Sequence, residues 1–152
     1  MFEDKNDVTG MSVLIVEDDS ENLVYLERML KAKELKVCTA SDGESALTMA
    51  EELLPDLILL DITLPDIDGF EVMGRIKQNH ILKKTPVIFL SALNDDNSII
   101  RGLNAGAVDY VTKPFNPDEL GARIHNHLLL RNANKRIEQY NKERDRDRKS
   151  VV

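Results

Sequence analysis

Five short apolar runs alternate with amphipathic stretches of ten or more residues along this chain of 152 residues. This alternation predicts a parallel β-sheet covered by helices, because parallel strands are joined by helical crossovers. The predicted strands are Ser12 to Val16, Lys36 to Thr39, Leu57 to Leu60, Val87 to Leu90 and Val108 to Thr112. The first, third and fourth are almost entirely aliphatic or aromatic, as is typical of strands buried on both faces. The second is more polar and is predicted at a sheet edge.

Polar side chains stand where four of these runs end. They are, in chain order, Glu17, Asp18, Asp19, Asp61, Ser91 and Lys113. Because the carboxyl ends of parallel strands meet at one edge, where open α/β sheets build their sites, we expect these side chains to share one crevice. Carboxylates without His or Cys favour Mg²⁺. A carboxylate between a divalent cation and an ammonium is prepared to attack phosphorus, since charge developing on the phosphoryl oxygens meets fixed positive partners.

Composition excludes several classes of protein. Residues 1 to 130 hold 12 Lys and Arg against 23 Asp and Glu, while residues 131 to 152 hold 8 against 4. The acidic body argues against nucleic-acid binding by this domain. Cys38 is the only cysteine, so there is no disulfide framework and no thiolate metal site. No apolar run approaches the roughly 18 residues of a membrane span, and the acidic start lacks the apolar segment of a signal peptide. We therefore expect a soluble cytoplasmic protein without membrane contact.

The length predicts one domain with one appendage. We expect a flexible N-terminus over residues 1–10, the domain over 11–130 and a helical stalk over 131–152. Helix starts are predicted where a cap residue is followed by an acid three positions later, or by proline at the first helical position. These pairs are Ser41 with Glu44, Asp68 with Glu71, and Asn116 with Pro117.

The stalk has the apolar spacing of a helical dimer seam. Its seam positions are Leu130, Ala133, Ile137 and Tyr140, with spacings of three, four and three. The pattern lasts about two heptads, fewer than the three or four of a firm coiled-coil assignment. Two alternatives therefore stay open, a coiled-coil homodimer and a lone solvated helix.

Four segments together resemble the receiver domain of two-component response regulators. They are Val13 to Asp19, Asp61 to Gly69, the pair Ser91-Ala92, and Tyr110 to Phe115. The match covers about residues 11–130, in the order and spacing of the family. The resemblance implies a flavodoxin-like (βα)5 fold, a doubly wound parallel sheet with strand order 2-1-3-4-5, here with an extended C-terminal helix.

The resemblance also implies the chemistry. Asp61 would accept a phosphoryl group from a histidine kinase or a phosphotransfer protein and form an acyl phosphate. Mg²⁺ would be held by Glu17, Asp18, Asp61 and the backbone carbonyl of Thr63. Such a domain serves phosphorelay signal transduction. It is not an enzyme with a separate substrate, since it catalyses only its own phosphorylation and slow dephosphorylation.

The remaining motifs match the family's phosphoryl-binding and switch residues. Ser91, with Ala92 beside it, would bind the phosphoryl group, and Lys113 would pair with it before a cis peptide at Pro114. Tyr110 matches the switch aromatic, whose ring follows Ser91 inward on phosphorylation. The surface of the fourth helix, fifth strand and fifth helix would then change and control an output partner or a homodimer, which could also form through the C-terminal helix.

Two other functions compete with this interpretation. A haloacid-dehalogenase-like phosphatase shares the architecture, Mg²⁺ and an aspartyl nucleophile, but it needs a second Asp where this chain has Thr63, and it usually has a cap insertion. A receiver-like module that docks or dimerises without phosphorylation is the other alternative, against which the complete acceptor set argues. After residue 130 no output domain is recognisable. The chain could thus be the input half of a longer protein or a stand-alone regulator, and the cognate kinase stays open.

Overall fold

The computed structural model describes residues 7–150, with the side chains of residues 7–146. Six residues of the predicted flexible N-terminus and the last two of the stalk lie outside the described residues. The strands are β1 (Ser12–Val16), β2 (Lys36–Ala40), β3 (Leu57–Leu60), β4 (Val87–Ser91) and β5 (Asp109–Thr112). The helices are α1 (Ser20–Lys31), α2 (Gly43–Leu53), α3 (Gly69–Gln78), α4 (Asp96–Asn104) and α5 (Pro117–Ser150).

The five strands form one parallel sheet in the order β2-β1-β3-β4-β5. This confirms the predicted flavodoxin-like fold and the edge position of the polar second strand. All five predicted strands exist, and their limits shift by at most one residue. β2 and β4 each extend one residue further, whereas the last strand begins at Asp109, the first residue that pairs in register with β4.

Two apolar layers cover the two faces of the sheet, because alternate residues of a strand point to opposite sides. In β1, Leu14 and Val16 pack toward α2 and α3, while Val13 and Ile15 pack toward α1 and α5. The central strand β3 is buried along its whole length. Its carboxyl end therefore leads from a rigid core into the edge that carries the polar residues.

The helix starts are capped by acids and an amide. Asp68 accepts a hydrogen bond from the Glu71 amide at 2.9 Å, as predicted. The predicted cap Ser41 is wrong: the N-cap of α2 is Asp42, whose Oδ1 accepts from the Ser45 amide at 2.8 Å. The Glu44 side chain does not close a capping box, since it contacts Arg75 of α3 at 2.9 Å.

The helix α5 begins at Pro117 as predicted, with Asn116 Oδ1 accepting from the amides of Asp118 and Glu119. It continues without a break to Ser150, so the domain and the stalk share one helix. Within residues 7–150 no helix combines the length and the apolar character that crossing a membrane requires.

The start of α3 lies directly against the backbone that follows β3. The Gly69 amide donates to the Ile62 carbonyl at 2.7 Å. A Cβ at Gly69 would lie 2.5 Å from the Asp61 carbonyl oxygen and 2.7 Å from Ile62 Cα. Only glycine therefore allows α3 to support the residues after the central strand this closely.

Gly69→Ala is expected to lower the free energy of unfolding by about 1 to 3 kcal/mol, because the added methyl group meets backbone atoms that have no room to move. Gly74→Ala in the same helix is the matched control. Nothing lies within 4 Å of its Cβ position, so this change should raise the free energy of unfolding by about 0.5 to 1 kcal/mol. Urea denaturation measures both, and equal stability of the two variants would contradict the close approach.

Candidate functional site

Three carboxylates meet at the carboxyl ends of β1 and β3. Glu17, Asp18 and Asp61 each place an oxygen within 4.8 Å of the other two. Glu17 is 2% and Asp61 6% exposed, whereas Asp18 lies at the surface. We refer to these three residues as the acidic cluster. Two of its members are removed from water, so their charges need partners within the protein.

Lys113, one residue after β5, supplies that partner. Its Nζ donates to both carboxylate oxygens of Glu17, at 2.8 and 2.9 Å, and to Asp61 Oδ2 at 3.0 Å. Burial disfavours the ammonium, but these hydrogen bonds and charges outweigh it and raise the pKa of Lys113. The side chain thus stays charged between two carboxylates.

In this arrangement the ionised form of Glu17 is disfavoured. Burial, followed by the neighbouring Asp61 carboxylate, raises the pKa of Glu17 to about 7. Hydrogen bonds from Lys113 and from Asn22 Nδ2, the latter at 3.1 Å, act in the opposite direction. Three acids around a single ammonium favour any further cation that oxygen ligands can bind.

Asp61 is held from two sides. Its Oδ2 accepts from Lys113, and its Oδ1 accepts from the Thr63 amide at 3.2 Å. Thr63 therefore contacts Asp61 through its amide, and its carbonyl as a metal ligand stays a prediction. These contacts fix the carboxylate at the carboxyl end of β3, because Asp61 follows that buried strand directly.

Ser91 and Tyr110 lie on the adjoining strands β4 and β5. Ser91 is fully buried and its Oγ accepts from the Leu93 amide at 3.2 Å, while Ala92 is exposed. The Tyr110 ring is 8% exposed, and its hydroxyl donates to the Leu93 carbonyl at 2.6 Å. The tyrosine therefore already occupies an interior position, and burial raises the pKa of its hydroxyl.

Two further residues of the motifs have structural contacts. Asp19 is the N-cap of α1 and accepts from the amides of Glu21 and Asn22, so the third acid of its run orients a helix. The Lys113–Pro114 peptide is cis.

Two residues that the sequence analysis did not single out contribute to the site. Asn22 donates to Glu17, and Asp66 holds the loop after Asp61. Asp66 accepts from the amides of Gly43 and Glu44, both at 2.8 Å, at the positive end of α2. These backbone hydrogen bonds lower the pKa of Asp66 to about 2. The residue thereby ties the loop after Asp61 to a neighbouring helix. The sequence did contain a signal for Asp66, because it is a second acid in the loop that follows the candidate nucleophile Asp61.

Comparisons with known proteins agree with this geometry. Residues 13–125 match the sequence model of the response regulator receiver domain. The cell cycle response regulator CtrA of Brucella ovis is 43% identical over 115 residues, which are 76% of this chain and 49% of that protein. The chain thus spans about half the length of the curated relatives it matches.

Solved structures show the same architecture. A CheY-like response regulator receiver domain protein from Methanospirillum hungatei superposes with a TM-score of 0.77 at 27% identity, covering 83% of this chain and 99% of the other. The BeF3-activated N-terminal receiver domain of Klebsiella pneumoniae RstA superposes with a TM-score of 0.73 at 32% identity, covering 77% and 97%.

The Asp66 contact predicts a pH-dependent contribution to stability. Because the folded-state pKa of about 2 lies below the ordinary value of 3.8, the ionised carboxylate stabilises the fold above about pH 4, and this contribution is lost as the pH falls toward 2. Asp66→Asn should be less stable than the wild type near neutral pH, with the gap closing over that acid range. Denaturant unfolding at several pH values measures it. Glu52→Gln, an exposed carboxylate on α2, is the control and should leave the stability unchanged; a constant gap for Asp66→Asn would contradict the assignment.

Proposed function

This chain belongs to the response regulator receiver family, and from that premise we propose that it is a signalling switch phosphorylated on Asp61. The observation that carries the proposal is the position of Asp61 after the central strand, between the Lys113 ammonium and two further acids. A receiver domain is a signalling domain and not a classical enzyme. Its donor, in this proposal, is the phosphohistidine of a histidine kinase or a phosphotransfer protein in the cytoplasm.

In the transfer step an Asp61 carboxylate oxygen forms a bond to phosphorus as the bond from phosphorus to the donor histidine nitrogen breaks. The donor imidazole leaves with the electron pair of the broken bond. Lys113, already 3.0 Å from Asp61 Oδ2, faces the negative charge that develops on the phosphoryl oxygens. The Thr63 amide orients the other carboxylate oxygen.

The acidic cluster fits Mg²⁺. Its donors are hard oxygens, and its three acids face one ammonium. Glu17, Asp18, Asp61 and the Thr63 carbonyl would hold the ion. When bound, Mg²⁺ would supply positive charge to the phosphoryl oxygens.

The phosphoryl group would then be bound by Ser91, Ala92 and Lys113, and Tyr110 would report its presence. The tyrosine ring lies in the interior with its hydroxyl on the Leu93 carbonyl. Phosphorylation therefore acts, in this proposal, by raising the population of an arrangement that the chain can adopt by itself. The readout is the α4-β5-α5 surface, because Tyr110 packs between β4 and Gly102 of α4.

The phosphorylation proposal is tested by intact-protein mass spectrometry after incubation with acetyl phosphate, with Mg²⁺ and with EDTA. We expect one phosphoryl adduct that requires Mg²⁺ and that is absent from Asp61→Asn. Asp19→Asn is the matched control, since Asp19 caps α1 and asparagine caps equally well; it should keep the adduct. No adduct under any condition would favour a docking module that works without phosphorylation.

We further propose that two copies of the chain associate. The seam residues Leu130, Ile137 and Tyr140 are 55%, 57% and 59% exposed on a helix that extends beyond the domain. Apolar side chains at heptad spacing are stabilised when a second helix covers them. The α4-β5-α5 surface also exposes apolar side chains, with Ile100 at 55% and Leu103 at 45%, and it is the alternative dimer surface.

Two matched variants distinguish these surfaces, because both residues are exposed isoleucines on helices. Ile137→Glu should convert a dimer to a monomer in sedimentation equilibrium, whereas Ile100→Glu should leave the dimer intact. The reverse result would place the dimer on the α4-β5-α5 surface. A wild-type chain that stays monomeric up to millimolar concentration, with and without phosphorylation, would exclude both.

A further inference from the structure

A basic cluster lies at the edge of the sheet opposite the acidic cluster. Lys77 stands in the last turn of α3, Lys83 and Lys84 in the connection to β4, and Arg131 on α5. These four residues, called here the basic groove, line a depression of about 420 Å³ together with Asn134, Ile137 and Glu138. Because Ile137 is also a seam residue, the groove is accessible in a chain that has not dimerised through α5.

The positive charge of the basic groove is incompletely neutralised. Glu138 Oε1 lies 3.4 Å from Lys84 Nζ and 3.9 Å from an Arg131 nitrogen. Among residues 7–146, no other carboxylate lies within 4.0 Å of a nitrogen of the four cations. By contrast, Arg75 and Arg123 each pair with two carboxylates. An excess of positive charge in a chain of net charge −7 favours binding of an anion.

Arg131 offers a donor that no protein atom satisfies. Its side chain is 13% exposed, and its Nε is buried without a hydrogen-bond partner in the described part of the chain. The guanidinium stays charged at any ordinary pH and presents planar donors that match phosphate oxygens. Because buried donors are nearly always hydrogen-bonded in native proteins, this nitrogen shows that the atoms of the described residues leave the guanidinium incompletely satisfied.

Lys77 is held in place beside α5, the helix that carries Arg131. Its Nζ donates to the Lys83 carbonyl at 3.0 Å. A Cβ at Gly106, whose φ is +107°, would lie 2.7 Å from Lys77 Cε, so glycine makes room for the lysine stem. Burial lowers the pKa of Lys77, which indicates an ammonium that has lost water without gaining a counterion.

We infer that the basic groove binds a small anion that carries two or more adjoining phosphate groups. Several adjacent cations, among them the planar guanidinium of Arg131, suit adjoining phosphates. Nucleic acid is disfavoured because the body of the chain is acidic and the cationic area is confined to the groove.

The test is a titration of the full chain, followed by isothermal calorimetry and by amide chemical shifts, with ATP, pyrophosphate, adenosine and a short single-stranded oligonucleotide. EDTA is present throughout, so that phosphate does not enter the acidic cluster with a divalent ion. The groove variant is Lys83→Ala with Lys84→Ala. The matched control is Lys36→Ala with Lys142→Ala, two exposed lysines whose removal changes the net charge equally.

ATP and pyrophosphate should bind, with shifts centred on the α3–β4 connection and on residue 131, and adenosine alone should not. The groove variant should weaken binding roughly tenfold or more, and the control by less than about twofold. Asp61→Asn should bind like the wild type, which separates this site from the phosphorylation proposal. No binding of either phosphate compound, equal weakening in both double variants, or tighter binding of the oligonucleotide than of ATP would each overturn the inference.

Discussion

The contact on which the site depends is the Lys113 ammonium between Glu17 and Asp61. These residues follow β5, β1 and β3, so one side chain joins the carboxyl ends of three strands that lie apart in the sequence. Without it, two buried carboxylates would face each other at a cost of several kcal/mol. With it, the cluster holds together and still retains more acid than base. The excess of carboxylates over ammonium groups favours binding of a divalent cation. The same arrangement leaves the Asp61 carboxylate beside the fixed positive charge of Lys113.

Much of the fold and most of the candidate site could be predicted from where apolar runs begin and end. This is possible because a strand buried on both faces consists almost entirely of apolar residues. The details that failed depend on distant partners. Ser41 and Asp42 can both cap a helix, and the choice of Asp42 accompanies contacts made from α3 and from the β3–α3 loop. Asp66, from that loop, binds the free amides at the start of α2, while Glu44 turns toward Arg75. No local pattern contains those contacts.

The helix α5 connects the two ends of the molecule. Its first turns bury Leu120, Ile124 and Leu128 against the sheet, while its continuation brings Arg131 to the loop that precedes β4 and leaves Ile137 exposed. The basic groove arises from this continuation. It could not be predicted from the sequence, because its cations come from segments more than forty residues apart, and each segment by itself has the composition of a solvated surface.

The interior position of Tyr110 constrains the switch that we propose. Its ring packs on Phe89, which packs on Phe70, with centroids 5.9 and 5.5 Å apart, and Arg101 of α4 stacks over Phe70 at 3.9 Å. A Cβ at Gly102 would lie 2.8 Å from the tyrosine ring, so α4 contacts it closely. A ring enclosed in this way has no room for gradual displacement, because packed interiors rearrange between discrete arrangements. In the switch that we propose, movement of Tyr110 would therefore involve α4 and the row of aromatic rings together, and the α4-β5-α5 surface would respond as a unit.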